Sequence, residues 1–348
     1  MGRMMNEKVT DYWTFFADDA KRTGSLLYSR LSAGIGKDDE LKALCAHARA
    51  GQPHANLILA AVHFLLLRGA DHPLKRFYGT VGGSRSVESD DPFPDFKGFV
   101  RDYRAAIQRL IETRVTNTNE IGRSALLHPG FRVVASQAAA PLSLIEVGPS
   151  AGLNLIWDSY GVRYRRDGSV AAAINESASV VIDCELRGER IPRTTPAPSV
   201  GGRVGLELNP VDLSNSDDRD WLRALIWPDQ GARLKRMDRA IELLMQHKPE
   251  IRAGDALELL PDALSDVPRG QIACVYHTIA TYQFSREMKR GLEDILTVAG
   301  LRQPVWRLSF EYDGALYSLS ATHYSDGVRD EKRLGSAHPH GTWLEWLV

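Results

Sequence analysis

A chain of 348 residues and 38.6 kDa is long enough for two domains or one elaborated one, and a chain of this size buries most of its unfolded surface. Hydrophobic residues make up 43% and charged residues 25%, which excludes a disordered chain, a collagen-like repeat and a disulfide scaffold. Lys and Arg number 43 against 44 Asp and Glu, a formal net charge of -1, so no overall basic field argues for a nucleic-acid partner.

Cys45, Cys184 and Cys274 are odd in number and far apart. They form no CxxC pair and read as small buried hydrophobes in a reducing compartment. The opening MGRMMNEKVTDYWTFF has no apolar stretch leading to a small-residue cleavage site. The longest apolar run, LILAAVHFLLL at residues 57–67, is well short of the ~20 residues that span a bilayer. The expectation is a cytoplasmic protein without a membrane partner. Nothing in the sequence sets its oligomeric state.

Residues 1–140 read as helical. Tyr12, Trp13, Phe15, Phe16 and Ala20 fall at helical spacing, as do Leu41, Leu44, Cys45 and Ala48. Residues 56–67 predict a helix apolar nearly all round, hence buried, and residues 99–113 (FVRDYRAAIQRLIET) an amphipathic one. A Gly-, Ser-, Asp- and Pro-rich loop covers residues 79–94.

The character changes at Pro141. Short apolar runs at 142–147, 204–208, around Ile251, at 272–277 and at 305–310 alternate with helical patterns at 220–226, 237–246, 256–264 and 285–298. This alternation predicts an α/β domain over residues 141–348, with a mostly parallel sheet and helices on both faces. Residues 161–202 break the rhythm and read as an inserted β-rich hairpin region and loop. The WLRALIWP stretch with Trp221 and Trp227 reads as an amphipathic helix packed on the sheet.

The chemistry is concentrated in LIEVGPSAGLNL, residues 144–155, a strand, a glycine-rich turn and a helix. Such a turn lets a ligand approach the backbone, and the helix that follows offers N–H groups to an anion. Glu146 stands where a plain strand would carry Val or Ile, and its carboxylate can accept hydrogen bonds from an ammonium group. The E-x-G-x-x-x-G spacing of Glu146, Gly148 and Gly152 resembles the first motif of class I methyltransferases that use S-adenosyl-L-methionine (SAM). The same residues contain G-x-S-x-G, the elbow of α/β-hydrolases, with Ser150 as nucleophile. Against it, about 140 helical residues come first, and Glu146 would then have no role.

Downstream acids support the SAM reading. Glu207, in GLELNP with Asn209, ends the next apolar run, where a carboxylate meets ribose hydroxyls in nucleotide sites. The usual interval from glycine motif to acid is ~20 residues, so the excess falls to the 161–202 insertion. Were that insertion part of the sheet, Asp167 or Asp183 would be the ribose ligand. Asp255 and Ala256 follow a third strand, where the adenine would lie, although Asp255 also suits a helix cap.

The whole chain resembles an uncharacterised bacterial domain-of-unknown-function family with a helical N-terminal part before a class I SAM methyltransferase-like (Rossmann-like) core. The matching stretches are NTNEIGR at 117–123, EVGPSAGLNL at 146–155 with Trp157 and Asp158, LELNP at 206–210, WLRALIWP at 221–228, GDA at 254–256 and HPHG at 338–341. The resemblance implies that fold and carries no settled activity. The chain departs from it at Glu207, where the family pattern has Asp.

Arg123 is the candidate for a cofactor carboxylate, in a segment that covers the strand ends together with Asn119. His277 is the general-base candidate and Tyr282 an aromatic wall. The cofactor-binding set is completed by Glu146, Gly148, Ser150, Gly152, Asn154, Glu207, Asn209, Asp255 and Ala256. His338 and His340 alone do not make a metal site. The expected function is a SAM-dependent methyltransferase acting on a small molecule, with residues 1–140 as lid and acceptor domain. The alternatives are a Ser150 hydrolase and a non-catalytic SAM-binding protein.

Overall fold

The computed structural model describes residues 2–348, with side chains from Tyr12 onward. The chain divides into two units, one of residues up to 118 with 212–238, the other of residues 119–211 with 239–348. In chain order the helices of the first are α1 (Gly2–Arg22), α2 (Leu26–Ile35), α3 (Asp39–Cys45), α4 (His54–Leu67), α5 (Phe93–Asp102) and α6 (Arg104–Thr113). After α7 (Ser124–Ala138), which belongs to the second unit, come α8 (Ser216–Ala224) and α9 (Gly231–His247), whose middle is the boundary between units.

The helical unit is organised around α4, which is buried along most of its length, as an all-round apolar helix must be. The single helix expected over residues 99–113 is broken at Tyr103, whose φ of -110° and ψ of 21° separate α5 from α6. The WLRALIWP segment belongs to the helical unit, not to the sheet unit. Trp221, Ala224 and Leu225 join the core of the helical unit, where Trp221 meets Phe64 edge-on with ring centroids 6.0 Å apart. The Trp221 indole N–H donates to the Val115 carbonyl (2.9 Å), and Trp227 lies 5.7 Å from the Tyr28 ring. An amphipathic stripe states that a face is buried; the shape of the partner surface selected α4.

The second unit is built on an 11-stranded, mostly parallel sheet. Its strands are β1 (Leu142–Val147), β2 (Gly161–Arg166), β3 (Ser169–Ile174), β4 (Val181–Arg187), β5 (Val200–Glu207), β6 (Glu250–Ala253), β7 (Ile272–Thr278), β8 (Val305–Tyr312), β9 (Tyr317–Ser325), β10 (Val328–Ala337) and β11 (Trp343–Trp346). The order is β3-β2-β4-β11-β10-β9-β8-β7-β1-β5-β6. The five apolar runs read from the sequence are β1, β5, β6, β7 and β8, and these are mutual neighbours in parallel register. From β1 the parallel order runs outward to β5 and β6 on one side and to β7 and β8 on the other. The carboxyl end of β1 is therefore the switch point of this order, the place where doubly wound sheets bind their ligands.

Alternation along β1 sorts its side chains. Ile145 and Val147 pack with Leu260 and Leu264 of α10 (Ala256–Ser265) and with Leu292 and Leu296 of α11 (Arg286–Gly300). On the other face, Phe131 of α7 stacks on Trp157 at 4.7 Å and meets Tyr276 edge-on at 5.1 Å. The three cysteines are free and buried.

Residues 161–202 are more than a hairpin insertion: β2, β3 and β4 extend the same sheet. They do so at its far edge, where β4 pairs with β11. Asp183 is there held by Arg163 and Arg165 (3.2 and 2.6 Å), and Asp167 sits in the β2–β3 turn. Neither lies beside the end of β1, whereas Glu207 on β5 does. Strands β9, β10 and β11 were not among the apolar runs. The β9–β10 connection is Asp326-Gly327, at φ 51° and 77°, the two-residue geometry that Asp-Gly favours in hairpins.

Candidate functional site

The turn after β1 is a run of left-handed backbone: φ is 73° at Gly148, 57° at Ser150 and 85° at Gly152. A Cβ on Gly148 would lie 2.9 Å from the Ala280 Cβ, so the turn abuts the loop that follows β7. Ser150 is buried, and its N–H donates to Glu207 Oε2 (2.7 Å) while the Asn209 N–H donates to Oε1 (3.0 Å). Each carboxylate oxygen keeps a second lone pair for an incoming hydroxyl. Asn209 itself is exposed, as is Leu208, which offers an apolar surface beside the acid.

The helix expected after the turn is a kinked 3-10 segment, Leu153–Ser159. Its first N–H does not await an anion: Leu153 donates to Asn119 Oδ1 (2.9 Å). The Asn154 amide donates to the Glu120 carbonyl (3.3 Å) and accepts from the Ser124 hydroxyl (3.3 Å). Asn119 and Asn154 thus tie the 119–124 segment to the glycine turn.

That segment is also clasped to the HPHG loop. A Cβ on Gly122 would lie 2.1 Å from the His340 carbonyl oxygen, and one on Gly341 would lie 2.0 Å from that of Gly122. Only glycine permits this backbone contact, which explains why NEIGR and HPHG both carry one. Arg123 is buried here, its Nη1 donating to the Thr278 carbonyl (2.6 Å) and its Nε to the Pro339 carbonyl (3.0 Å). His338 Nδ1 accepts from the His340 N–H (3.1 Å). No cluster of three or more metal-binding side chains occurs among the described residues.

Glu146 is 1% exposed. Burial, then the nearby Glu207 charge, outweighs the Tyr276 hydrogen bond and the Arg123 charge and pushes its carboxyl up to about 8. The geometry agrees with a protonated acid. The Tyr276 hydroxyl lies 2.9 Å from Glu146 Oε2 and 3.1 Å from the Asn154 carbonyl, and its one hydrogen serves one of them. With the proton on Glu146, the acid donates to Tyr276 and Tyr276 donates to Asn154, so both contacts are satisfied.

At the end of β7, His277 is 3% exposed, and its Nδ1 lies 2.7 Å from Glu311 Oε1. The same oxygen accepts from the Ala280 and Thr281 N–H groups (3.0 and 3.2 Å). Burial would raise Glu311, but the bond and charge of His277 and these two N–H groups hold it below the usual carboxylate range. His277 Nε2 is buried with no hydrogen-bond partner among the described residues. Next to this pair Ile279 sits at φ 51°, an outlier for a β-branched residue and the kind of strain that collects at functional sites.

The other predicted residues are more peripheral. Asp255 Oδ1 accepts from the Leu257 N–H (2.8 Å), the helix-cap role, and Ala256 starts α10 half-buried. Tyr282 is 56% exposed, so it walls no closed pocket. Sequence reasoning missed Glu311 altogether. The rule that singled out Glu207, an acid ending an apolar run, would have found it in VWRLSFE.

The candidate site is thus a set of strand ends that brings together a glycine turn, two buried acids and an oriented histidine. A family model described as "Uncharacterized protein conserved in bacteria (DUF2332)" matches residues 11–346. The chain belongs to this family. Neither the comparison with curated proteins nor that with solved structures found a match. Among the described residues, no helix is long and apolar enough to cross a membrane.

Proposed function

We propose that this protein binds SAM at the carboxyl ends of β1, β5, β6 and β7 and transfers its methyl group to a small-molecule acceptor. The observation that carries the reading is the placement of Glu207. It ends the strand next to β1 at the switch point, hydrogen-bonded to the glycine turn at Ser150, where nucleotide-binding sheets hold a ribose. The strand order β6-β5-β1-β7-β8, running outward from β1 on both sides, supports the reading as a Rossmann-like core. The residues present fit the group: Glu207 has lone pairs for ribose hydroxyls, Leu208 an apolar face for a purine, and Glu146 a carboxyl for a cationic group.

SAM supplies an electrophilic methyl on a sulfonium. The chain's own part is to position and to move a proton. His277 Nε2 accepts the acceptor's proton, while Glu311 fixes the ring through Nδ1 and stabilises the imidazolium that forms. Glu146, neutral without ligand, ionises when a cation lies against it. Asn119, Asn154 and Arg123 hold the cover over the turn.

The hydrolase reading is weaker. Ser150 has the left-handed backbone of an elbow, but the oriented histidine of the site, His277, turns its Nδ1 to Glu311, and its Nε2 has no hydrogen-bond partner among the described residues. Calorimetry with SAM and S-adenosylhomocysteine tests the proposal. The wild type binds both, and Glu207→Ala loses about 10- to 100-fold in affinity, the range for hydrogen bonds to a charged group. Absence of binding to the wild type, or unchanged binding to the variant, sinks it.

A further inference from the structure

The sheet unit holds a cavity of about 560 Å³ at the other ends of its strands. Its wall includes residues 139–141, just before β1, and Ser199, just before β5. At ~3.3 Å per residue, β1 separates it from the glycine turn by about 20 Å. Val133, Pro141, Ala197 and Trp346 give it an apolar lining.

Into this wall is set Arg132, only 8% exposed. Its Nε donates to the Thr194 carbonyl (2.9 Å), and its Nη1 lies 2.9 Å from the His128 carbonyl and 3.2 Å from His128 Nδ1. His128 Nε2 lies 3.1 Å from the Tyr160 carbonyl, which only an N–H can satisfy, so Nδ1 is the unprotonated acceptor. Burial first, then the Arg132 charge, pushes His128 down to about 4, and the ring is neutral. Every hydrogen-bond partner of Arg132 is therefore uncharged, and Nη2 has none among the described residues. No Asp or Glu lines the cavity, while Arg193 and Lys332 do. A buried arginine hydrogen-bonded only to uncharged groups is rare; the one anion in the wall is the terminal carboxylate of Val348, which is not among the Arg132 hydrogen-bond partners, and the volume is in the range of small-molecule sites.

We propose that this cavity binds a small organic acid with an apolar body, its carboxylate on Arg132 Nη2 and its body against Val133, Ala197 and Trp346. The guanidinium suits a carboxylate in shape and charge. The site is separate from the proposed SAM site.

Calorimetric titration of the whole chain with octanoate, 1-octanol and inorganic phosphate tests this. Octanoate saturates one site per chain, and 1-octanol and phosphate each bind at least ~10-fold more weakly, lacking the charge or the body. Arg132→Met lowers octanoate affinity by about the same factor. Ala197→Trp, a change in an exposed loop that narrows the cavity without touching Arg132, weakens octanoate binding while leaving S-adenosylhomocysteine binding as in the wild type. The proposal is overturned if octanoate fails to bind the wild type, if 1-octanol or phosphate binds as tightly, or if Ala197→Trp binds octanoate unchanged.

Discussion

Both units of this protein contain sealed histidines, and His63 of one and His277 of the other are finished differently. His63, on α4 of the helical unit, is fully buried, with Nδ1 3.0 Å from the Ala224 carbonyl and Nε2 2.7 Å from the Thr80 hydroxyl. Burial pushes it down to about 4, so it is a neutral hydrogen-bonder tying α4 to α8. His277, in the sheet unit, is nearly as buried, yet one nitrogen faces a carboxylate and the other has no hydrogen-bond partner among the described residues. Burial therefore does not by itself mark a histidine as structural. The distinction lies in a ring nitrogen left unsatisfied beside a group that can stabilise the charged ring.

Breaking the comparison at His277 has the largest expected effect. His277→Ala lowers methyl-transfer turnover about 10²- to 10⁴-fold, the range of a positioned base, with S-adenosylhomocysteine affinity retained. Glu311→Gln gives a smaller loss, because the ring keeps a hydrogen-bond partner at Nδ1 while the imidazolium that forms loses its carboxylate. Turnover in His277→Ala equal to the wild type would show that Nε2 takes no proton.

The next effect concerns Glu146. Its folded-state pKa of about 8 lies above the ordinary 4.5, so the folded protein holds a proton that the unfolded chain releases. The resulting stability is full below about pH 4.5 and is lost as the pH rises through 8. Thermal melts from pH 5 to 8 then show the wild type falling relative to Glu146→Gln, which has no proton to lose. Over the same interval SAM affinity rises with pH in the wild type and stays flatter in the variant. Parallel pH curves for the two proteins contradict a proton on Glu146.

The smallest effect belongs to His63. Its pKa lies below the ordinary 6.5, so the unfolded chain binds the extra proton. The associated stability is present above about pH 6.5 and fades as the pH falls toward 4, by up to about 3 kcal/mol. His63→Gln flattens this slope in melting curves and leaves turnover per folded molecule unchanged. A loss of turnover there, with folding intact, would erase the contrast between the two histidines.

The sequence by itself determined the local elements. Five apolar runs became five adjacent parallel strands, because a strand covered on both faces must be apolar throughout. Glu146, Gly148, Gly152 and Glu207 were legible as well, since an acid within or ending such a run, or glycines directly after it, contradict simple burial. Only the tertiary structure decided which elements became neighbours. The 161–202 segment joined the sheet at its far edge, leaving Glu207 beside the glycine turn. The WLRALIWP helix chose α4, and Gly122 met Gly341 across more than half the chain. The His277–Glu311 pair and the uncharged partners of Arg132 were beyond sequence for the same reason. Whether a polar group is satisfied depends on atoms a few ångströms away, and a linear pattern records only the neighbours along the chain.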